Sequence, residues 1–124
     1  MESAIGKKSL TKNNDTVKRG DIYWVNLDPT IGAEIKKTRP ALIVSNDVAC
    51  EVARILLIAP ITSKKIEIIR PFEVALSIKG KQCKILLNQC RAVDKSRLMG
   101  KILSADASTM RLVDEALKIA FGLH

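Results

Sequence analysis

Apolar residues occur in short runs from residue 21 onward, and turn residues separate these runs. The first run, residues 21–27, alternates in the period of two that a β-strand requires. Its apolar side chains divide between two faces, with Ile22 and Trp24 on one and Tyr23, Val25 and Leu27 on the other. Further strands are predicted at residues 40–45, 54–61, 72–78 and 84–89, with a short one at 101–103. Five or six closely spaced strands favour a small barrel or a strongly coiled sheet.

Helical periodicity is clear only near the end of the chain. Ser104 is a predicted N-cap, and Gly122 suits the left-handed position after a helix. Apolar residues recur between them at steps of three or four: Met110, Val113, Leu117 and Ala120. A shorter turn is predicted to begin at Asp94. The pattern therefore predicts one terminal helix that packs on a mainly β domain.

Residues 1–17 are polar and show neither the strand period nor the helix period, so we expect a flexible tail before a single domain at 18–124. A length of 124 residues and an apolar content of 47% suit one modest core. The formal net charge is +8 and the tail contributes only +1 of it. The domain's excess of cations favours an anionic partner, either nucleic acid or an acidic protein segment, although excess lysine also serves solubility alone.

Cysteine and histidine usage excludes several kinds of chemistry. Cys50, Cys83 and Cys90 are odd in number and form no C-x-x-C pair, which argues against a disulfide framework and a zinc site and favours small buried apolar roles. The only histidine is His124, so imidazole catalysis is excluded and neither a metal nor a cofactor is expected. No apolar run reaches the ~18 residues of a membrane span, and residues 1–17 lack the apolar stretch of a signal peptide, so we expect a cytoplasmic protein.

The stretch "KKTRPALIVSND", residues 36–47, places cations directly before a buried strand. If residues 54–61 return antiparallel, the start of the first strand lies beside the end of the second. A basic, hydroxyl-bearing edge then gathers Lys36, Lys37, Arg39, Thr62, Lys64 and Lys65. Pairing residue 45 with residue 53 sets Arg39 opposite Ala59, about 10 Å short of Thr62, and a bulge at Pro60 with the long arginine side chain closes that gap.

Each of these residues also has an ordinary explanation. An arginine before a strand is most often a solvated charge, a threonine after one is most often a turn residue, and Lys64 with Lys65 can guard a sheet edge against aggregation. Their common location favours a phosphate-binding site.

Several ordered motifs resemble the PemK/MazF family, the toxins of bacterial toxin–antitoxin modules. They are "KRGDIYWVNLDPTIGAE", "KTRPALIVSND", "APITS", "LLNQCRAVDKSRL" and "VDEALKIAFGL", and they extend from about residue 18 to residue 123. The resemblance implies an SH3-like barrel of the CcdB/PemK type with a C-terminal helix. It further implies a homodimeric endoribonuclease that cleaves single-stranded RNA at short sequences without a metal, inhibits translation and binds a cognate acidic antitoxin.

The resemblance also implies roles for particular residues. The family's catalytic arginine and threonine fall on Arg39 and Thr62, which the hairpin argument had already singled out. Where the family commonly has a carboxylate before Gln89 this chain has Asn88, and where some relatives have a histidine it has Ala33. The predicted RNA-binding residues are Thr30, Lys36, Lys37, Ser63, Lys64, Lys65, Asn88 and Gln89. The proton acceptor stays open among Asp47, Asp28, Glu34 and water.

Two other functions are consistent with a small basic barrel. One is a module that binds nucleic acid without cutting it, although 3% aromatic residues provide few stacking platforms for that purpose. The other is a toxin that targets gyrase, as CcdB does. Only the nuclease hypothesis needs Arg39 and Thr62 together at one edge.

Overall fold

The computed structural model describes residues 16–27 and 38–124. Most of the predicted tail, and the predicted site residues Thr30, Lys36 and Lys37, lie outside these ranges. Two short 3-10 helices, Leu87–Gln89 and Lys95–Arg97, interrupt the regular elements. In chain order those elements are β1 (Asp21–Asn26), β2 (Thr38–Ile43), α1 (Asp47–Val52), β3 (Ile55–Thr62), β4 (Glu73–Ile78), β5 (Lys81–Leu86), β6 (Arg91–Asp94), β7 (Leu98–Ser104) and α2 (Ala107–Phe121).

All described strands belong to one antiparallel sheet in the order β4-β5-β3-β2-β1-β7, and β6 pairs with β3. Strand β3 is central because it pairs with three others. Its first half pairs with β6, its middle with β2 and its last two residues with β5. The sheet curls into a half-barrel and α2 packs against β4. This confirms the predicted mainly β architecture with a C-terminal helix.

The core lies on both sides of the curled sheet. Ile22 of β1 belongs to a cluster that includes Val113 and Ala116 of α2. Tyr23 and Val25 belong to a second cluster with residues of β2, β3, β6 and α1. From Asp21 to Val25, strand β1 is therefore buried on both faces except at Trp24, which is 46% exposed. That exposure places an aromatic side chain at the surface of an otherwise buried strand.

Helix α2 forms as the periodicity predicts, but its N-cap is not Ser104. Asp106 is the cap, and its carboxylate accepts from Thr109 N at 2.8 Å. Ser104 is the last residue of β7 and donates its hydroxyl to the buried Asp21 carboxylate at 2.8 Å. The predicted cap was wrong because the strand continues to residue 104 and the helix begins only after it. Gly122 has a φ of 72° at the C-terminus, as predicted.

Three other elements differ from the sequence prediction. Helix α1 was missed; it is a six-residue helix capped by Asn46, whose side chain accepts from Ala49 N. Strand β6 was missed, and the turn predicted at Asp94 follows it as the 3-10 helix that Asp94 caps. Strand β5 begins at Lys81 rather than residue 84, because a tight turn at Lys79-Gly80 starts the ladder earlier.

The described end of the predicted tail contacts the domain. Val17 packs against the second core cluster. The next backbone N–H, that of Lys18, donates to the Asp21 carboxylate at 3.0 Å. Among residues 16–27 and 38–124, no helix combines the length and apolar composition that crossing a membrane would require.

Candidate active site

The register of β2 and β3 brings Arg39 and Thr62 to the same level. Ala41 pairs with Pro60, and continuing that register by two residues along each strand sets Arg39 level with Thr62. The predicted pairing of Arg39 with Ala59 was therefore wrong by three residues, and no bulge is needed to close a gap.

The reason for this register lies at the other end of the two strands. The backbone N–H groups of Val44 and Ser45 both donate to Leu57 O, and Ser45 Oγ accepts from Leu57 N at 2.7 Å. The pairing of β2 with β3 ends there, and helix α1 lies in the connection between the two strands. A connection that contains this helix is longer than the one implied by pairing residue 45 with residue 53, so the paired residues shift toward the far end of β3.

A cavity of about 420 Å³ lies beside Arg39 and Thr62. It has an apolar floor and a polar rim, and its lining comes from β1, β2, β3, the β4–β5 hairpin and β7. Strands β4 and β7, at opposite ends of the sheet, both contribute because the sheet curls around the cavity. The lining residues are Trp24, Thr38, Arg39, Pro40, Ile61, Thr62, Ser63, Lys64, Ile78, Lys79, Lys81, Cys83 and Ile102.

The charge of this cavity is entirely positive in the described part of the chain. Its lining includes four cations, Arg39, Lys64, Lys79 and Lys81, and no Asp or Glu. Ion pairs elsewhere in the described residues use other cations. Four positive charges around one concave site, without an ion-pair partner among residues 16–27 and 38–124, repel each other and produce a local potential that attracts an anion.

The hydroxyl oxygen of Thr62 accepts a hydrogen bond from the backbone. Thr62 Oγ1 accepts a hydrogen bond from Lys64 N at 3.1 Å. Since that lone pair is occupied by the backbone, the hydroxyl hydrogen is available to donate into the cavity. Ser63 and Lys64 follow on the same rim, whereas Lys65, with a φ of 55°, does not line the cavity.

A buried ion pair anchors the segment that carries this rim. Lys84 pairs with Thr62 in the β3–β5 ladder. Its ammonium group donates to Glu73 Oε1 and to Ile68 O, both at 2.9 Å, so the side chain ties the segment after Thr62 to the sheet. Burial raises the pKa of the Glu73 carboxyl, but hydrogen bonds from Arg70 N and from Lys84 outweigh it and hold that pKa below its ordinary value.

Two predicted RNA-binding residues lie apart from the cavity. Asn88 and Gln89 are exposed in the 3-10 helix at the end of β5 opposite the hairpin. Asp47, a candidate proton acceptor, is also elsewhere, because its carboxylate accepts from Arg19 N at 2.9 Å at the start of α1. The other candidate carboxylates, Asp28 and Glu34, are outside the described residues.

Sequence reasoning did not single out Trp24, Lys79 or Lys81 for the site. The signal for the lysines was present in "IKGK", residues 78–81, where a Lys-Gly pair separates two apolar runs. Predicting the following strand to begin at residue 84 concealed that hairpin. Trp24 was placed on a strand face with Ile22, and the strand pattern does not reveal that its side chain lies at a cavity mouth.

The cysteines have the small apolar roles expected of them. Cys50 and Cys83 are buried and Cys90 is half-buried. Burial raises the pKa of the Cys50 and Cys90 thiols, which keeps both protonated at neutral pH. No three His, Cys, Asp or Glu side chains among the described residues come close enough to hold a metal ion together.

Comparison with known proteins places the chain in a family. Residues 18–121 match the model of the PemK-like, MazF-like toxins of type II toxin–antitoxin systems. The chain is 37% identical over 111 residues to Endoribonuclease EndoA of Bacillus subtilis (strain 168), covering 86% of this chain and 96% of that protein. It resembles MazF of Deinococcus radiodurans at a TM-score of 0.72 and 28% identity, covering 89% and 100% of the two chains.

A second solved structure, the MazE–MazF complex of Deinococcus radiodurans, matches with a TM-score of 0.73 and 28% identity over 89% of this chain and 100% of that chain. The family match covers all of the described residues except the first two and the last three. As the sequence motifs predicted, the chain belongs to the PemK-like, MazF-like family of type II toxin–antitoxin toxins.

Proposed function

We propose that this toxin is an endoribonuclease that cleaves single-stranded RNA, including mRNA, at the cavity beside Arg39 and Thr62. The observation that carries the proposal is that these two residues line one cavity whose described charges are all positive. A similar activity is named for the EndoA relative. Cutting mRNA would inhibit translation, which is how such a toxin would act.

The chemistry follows from the two side chains. The 2′-hydroxyl of the RNA loses its proton, its oxygen attacks the adjacent phosphorus, and negative charge grows on the phosphorane oxygens. The bond to the 5′-oxygen then breaks, and that oxygen takes up a proton to become the 5′-hydroxyl. Arg39 provides a planar, permanently charged fork that stabilises the phosphorane charge. Because its guanidinium stays protonated at neutral pH, it cannot accept the 2′-hydroxyl proton and does not act as the base. Thr62, whose oxygen is held by Lys64 N, donates its hydroxyl hydrogen to a phosphate oxygen.

The products of this reaction are a 2′,3′-cyclic phosphate and a 5′-hydroxyl. DNA lacks the attacking oxygen and should not be cut. The mechanism uses no metal, because Arg39 supplies the positive charge that a metal provides in other nucleases.

We further propose that the toxin acts as a cytoplasmic homodimer and that a cognate antitoxin with an acidic segment covers the cationic rim. The Deinococcus radiodurans MazF relative was solved together with MazE. An extended acidic segment would compete with RNA for the same four cations, and competition should weaken as salt rises. Cleavage that is unchanged by saturating antitoxin would contradict a shared site.

The proposal is tested by incubating the protein with a long RNA of defined sequence in EDTA and mapping the new ends. We expect cuts at a few recurring short sequences, and none in DNA of the same sequence. A protein that binds the RNA without cutting it would be a binding module. Activity that EDTA abolishes and magnesium restores, after contaminating nucleases are excluded, would contradict the metal-independent mechanism.

A further inference from the structure

The β4–β5 hairpin carries a lysine in a conformation that lysine rarely adopts. Ile78 pairs with Lys81, so the loop between them has two residues, Lys79 and Gly80. Their φ values are 51° and 83°, which is the left-handed geometry of a type I′ turn. Asn or Gly is the usual first residue of such a turn because either tolerates positive φ at less cost. The turn would form more readily without this lysine, so its charge serves something other than the fold.

The position of the hairpin suggests what that charge serves. Lys79 and Lys81 are exposed, line the cavity and have no ion-pair partner among the described residues. Strand β5 is separated from β2, which carries Arg39, by β3 alone. Two strand spacings separate the backbones of β2 and β5 by about 10 Å, and Lys81 lies a further three residues, about 10 Å, along β5 from the Lys84–Thr62 pair that is level with Arg39. Arg39 and the hairpin lysines therefore face different positions along a bound strand.

The surface between these cations is apolar. Trp24, Pro40 and Ile61 contribute to it from three neighbouring strands, and Ile78 and Ile102 close it from the two ends of the curled sheet. Trp24 is the only tryptophan of the chain and is 46% exposed. An aromatic ring beside a phosphate-binding cation is the arrangement by which proteins hold a single-stranded base.

We propose that Lys79 and Lys81 bind a second phosphate of the RNA strand, next to the scissile one held by Arg39, and that the base between the two phosphates lies in the cavity against Trp24. This inference rests on the proposed function and extends it. It makes the hairpin and Trp24 determinants of affinity and of which nucleotide flanks the cut, with no direct part in bond cleavage.

The first test is the salt dependence of RNA binding. The variant is Lys79→Asn/Lys81→Gln, in which Asn also tolerates the positive φ of this turn position better than lysine does. The matched control is Lys95→Gln/Lys118→Gln, which removes the same charge away from the cavity. The probe is an RNA with 2′-deoxyribose at the nucleotide 5′ to the mapped cut, checked on a gel to be intact. The slope of log affinity against log salt should become shallower by about 0.7, since the two lysines share one phosphate and each phosphate neutralised on a single strand adds about 0.7 to the slope.

The second test uses Trp24 fluorescence. The change in emission on adding the same RNA should disappear when the base on one side of the cut, either 5′ or 3′, is replaced by an abasic site. Trp24→Ala should weaken binding by about tenfold or more, and Trp24→Phe should restore most of it. A merely structural role for Trp24 would not depend on which base is missing.

These results separate failure of the inference from failure of the function. If wild-type protein cuts RNA but the hairpin variant has the same salt slope as the control, the hairpin binds no second phosphate. If neither abasic RNA alters the fluorescence change, the base does not lie against Trp24. A wild-type protein that neither cuts nor binds RNA would overturn the proposed function, and this inference with it. Thermal melting should show the hairpin variant at least as stable as wild type.

Discussion

Cations on the body of the domain and cations at the cavity have different surroundings. On the body, carboxylates lie against several cations, and the Arg54–Asp94 and Lys84–Glu73 pairs both have distances of 2.9 Å. At the cavity the four cations have no carboxylate neighbour among the described lining residues. Lys84 and Lys64 show the contrast within one short distance, because Lys84 pairs with Thr62 in the ladder and Lys64 follows Thr62 by two residues.

This difference separates cations that stabilise the fold from cations that are available to bind an anionic ligand. The Lys84 side chain is 7% exposed and its ammonium group is satisfied by Glu73 and Ile68 O, so it fixes the segment after Thr62. The exposed cations of the cavity repel each other in the free protein, and an anionic ligand relieves that repulsion. The paired lysine holds the rim in place, and we propose that the cavity cations, which have no ion-pair partner among the described residues, act on the substrate.

The largest effect is expected from removing the guanidinium at the cavity. Arg39→Ala should lower the single-turnover cleavage rate by about 10²-fold or more, as loss of one transition-state donor typically does. Arg39→Lys keeps the charge but loses the fork, so it should recover only part of the rate. RNA affinity should fall less, because the three lysines of the cavity remain. Arg111→Ala, an exposed arginine of α2 outside the cavity, is the control and should cut at the wild-type rate.

Breaking the buried pair should instead reduce stability. Glu73→Gln leaves the Lys84 ammonium enclosed without a countercharge, and we expect the free energy of unfolding in urea to fall by about 3 kcal/mol, the lower end for breaking a buried pair because a surface segment covers it. Glu73→Leu/Lys84→Met removes both charges and should recover much of this loss. A double variant as unstable as the two single losses combined would show that the pair is not coupled.

The pH dependence of the stability difference between wild type and Glu73→Gln tests whether the Glu73 charge is responsible for it. The folded pKa of Glu73 is lowered, so its carboxylate contributes stability that is fully present above the ordinary glutamate pKa and is lost as pH falls through the folded value. The gap in stability between wild type and Glu73→Gln should therefore narrow from pH 7 to pH 3. Asp94 and Asp106, whose pKa values are lowered by their capping hydrogen bonds, are present in both proteins and cancel in the comparison.

The hydroxyl of Thr62 should matter less than Arg39. Thr62→Val keeps the shape but removes the donor, and we expect a loss of about tenfold in rate, the scale of one hydrogen bond to a charged group. Thr62→Ser retains the hydroxyl and should keep most of the activity. Equal rates for the Val and Ser variants, with unchanged melting temperatures, would show that the hydroxyl does not contact the phosphate.

The smallest effect is expected from shortening the chain. A protein that begins at Thr16 retains Val17 in its core contact and the Lys18 hydrogen bond to Asp21. Residues 1–15 show no periodic apolar face, so their removal should leave melting temperature and cleavage unchanged. A melting temperature several degrees lower would show that this segment stabilises the domain.

The strands and α2 were predictable because their apolar period is read directly from the sequence. Buried Ile22, Val25 and Leu42 are recognised by type, and Gly122 by the conformation it allows. Arg39 and Thr62 could be brought to one edge because antiparallel strands that follow each other bring the start of one beside the end of the next. Their motif resemblance then assigned them a role.

What escaped prediction depends on tertiary geometry. The β2–β3 register is set by how Ser45 contacts Leu57, a contact twelve residues apart that no periodicity encodes. Trp24 and the β4–β5 hairpin meet at the cavity only because the sheet curls, and curling brings together strands that are distant in sheet order. The sequence likewise does not show that Lys84, unlike the lysines near it in the chain, pairs with Glu73 in the folded protein.

The most direct test of this account is cleavage of an RNA that carries one 2′-deoxynucleotide immediately 5′ to a mapped cut. If the 2′-oxygen is the nucleophile and Arg39 stabilises the resulting phosphorane, that cut should disappear while binding and the other cuts persist. The unmodified RNA should yield fragments that end in a 2′,3′-cyclic phosphate, as measured by mass spectrometry. Cleavage that continues at the modified position would show that water attacks the phosphorus, and the mechanism assigned to Arg39 and Thr62 would be wrong.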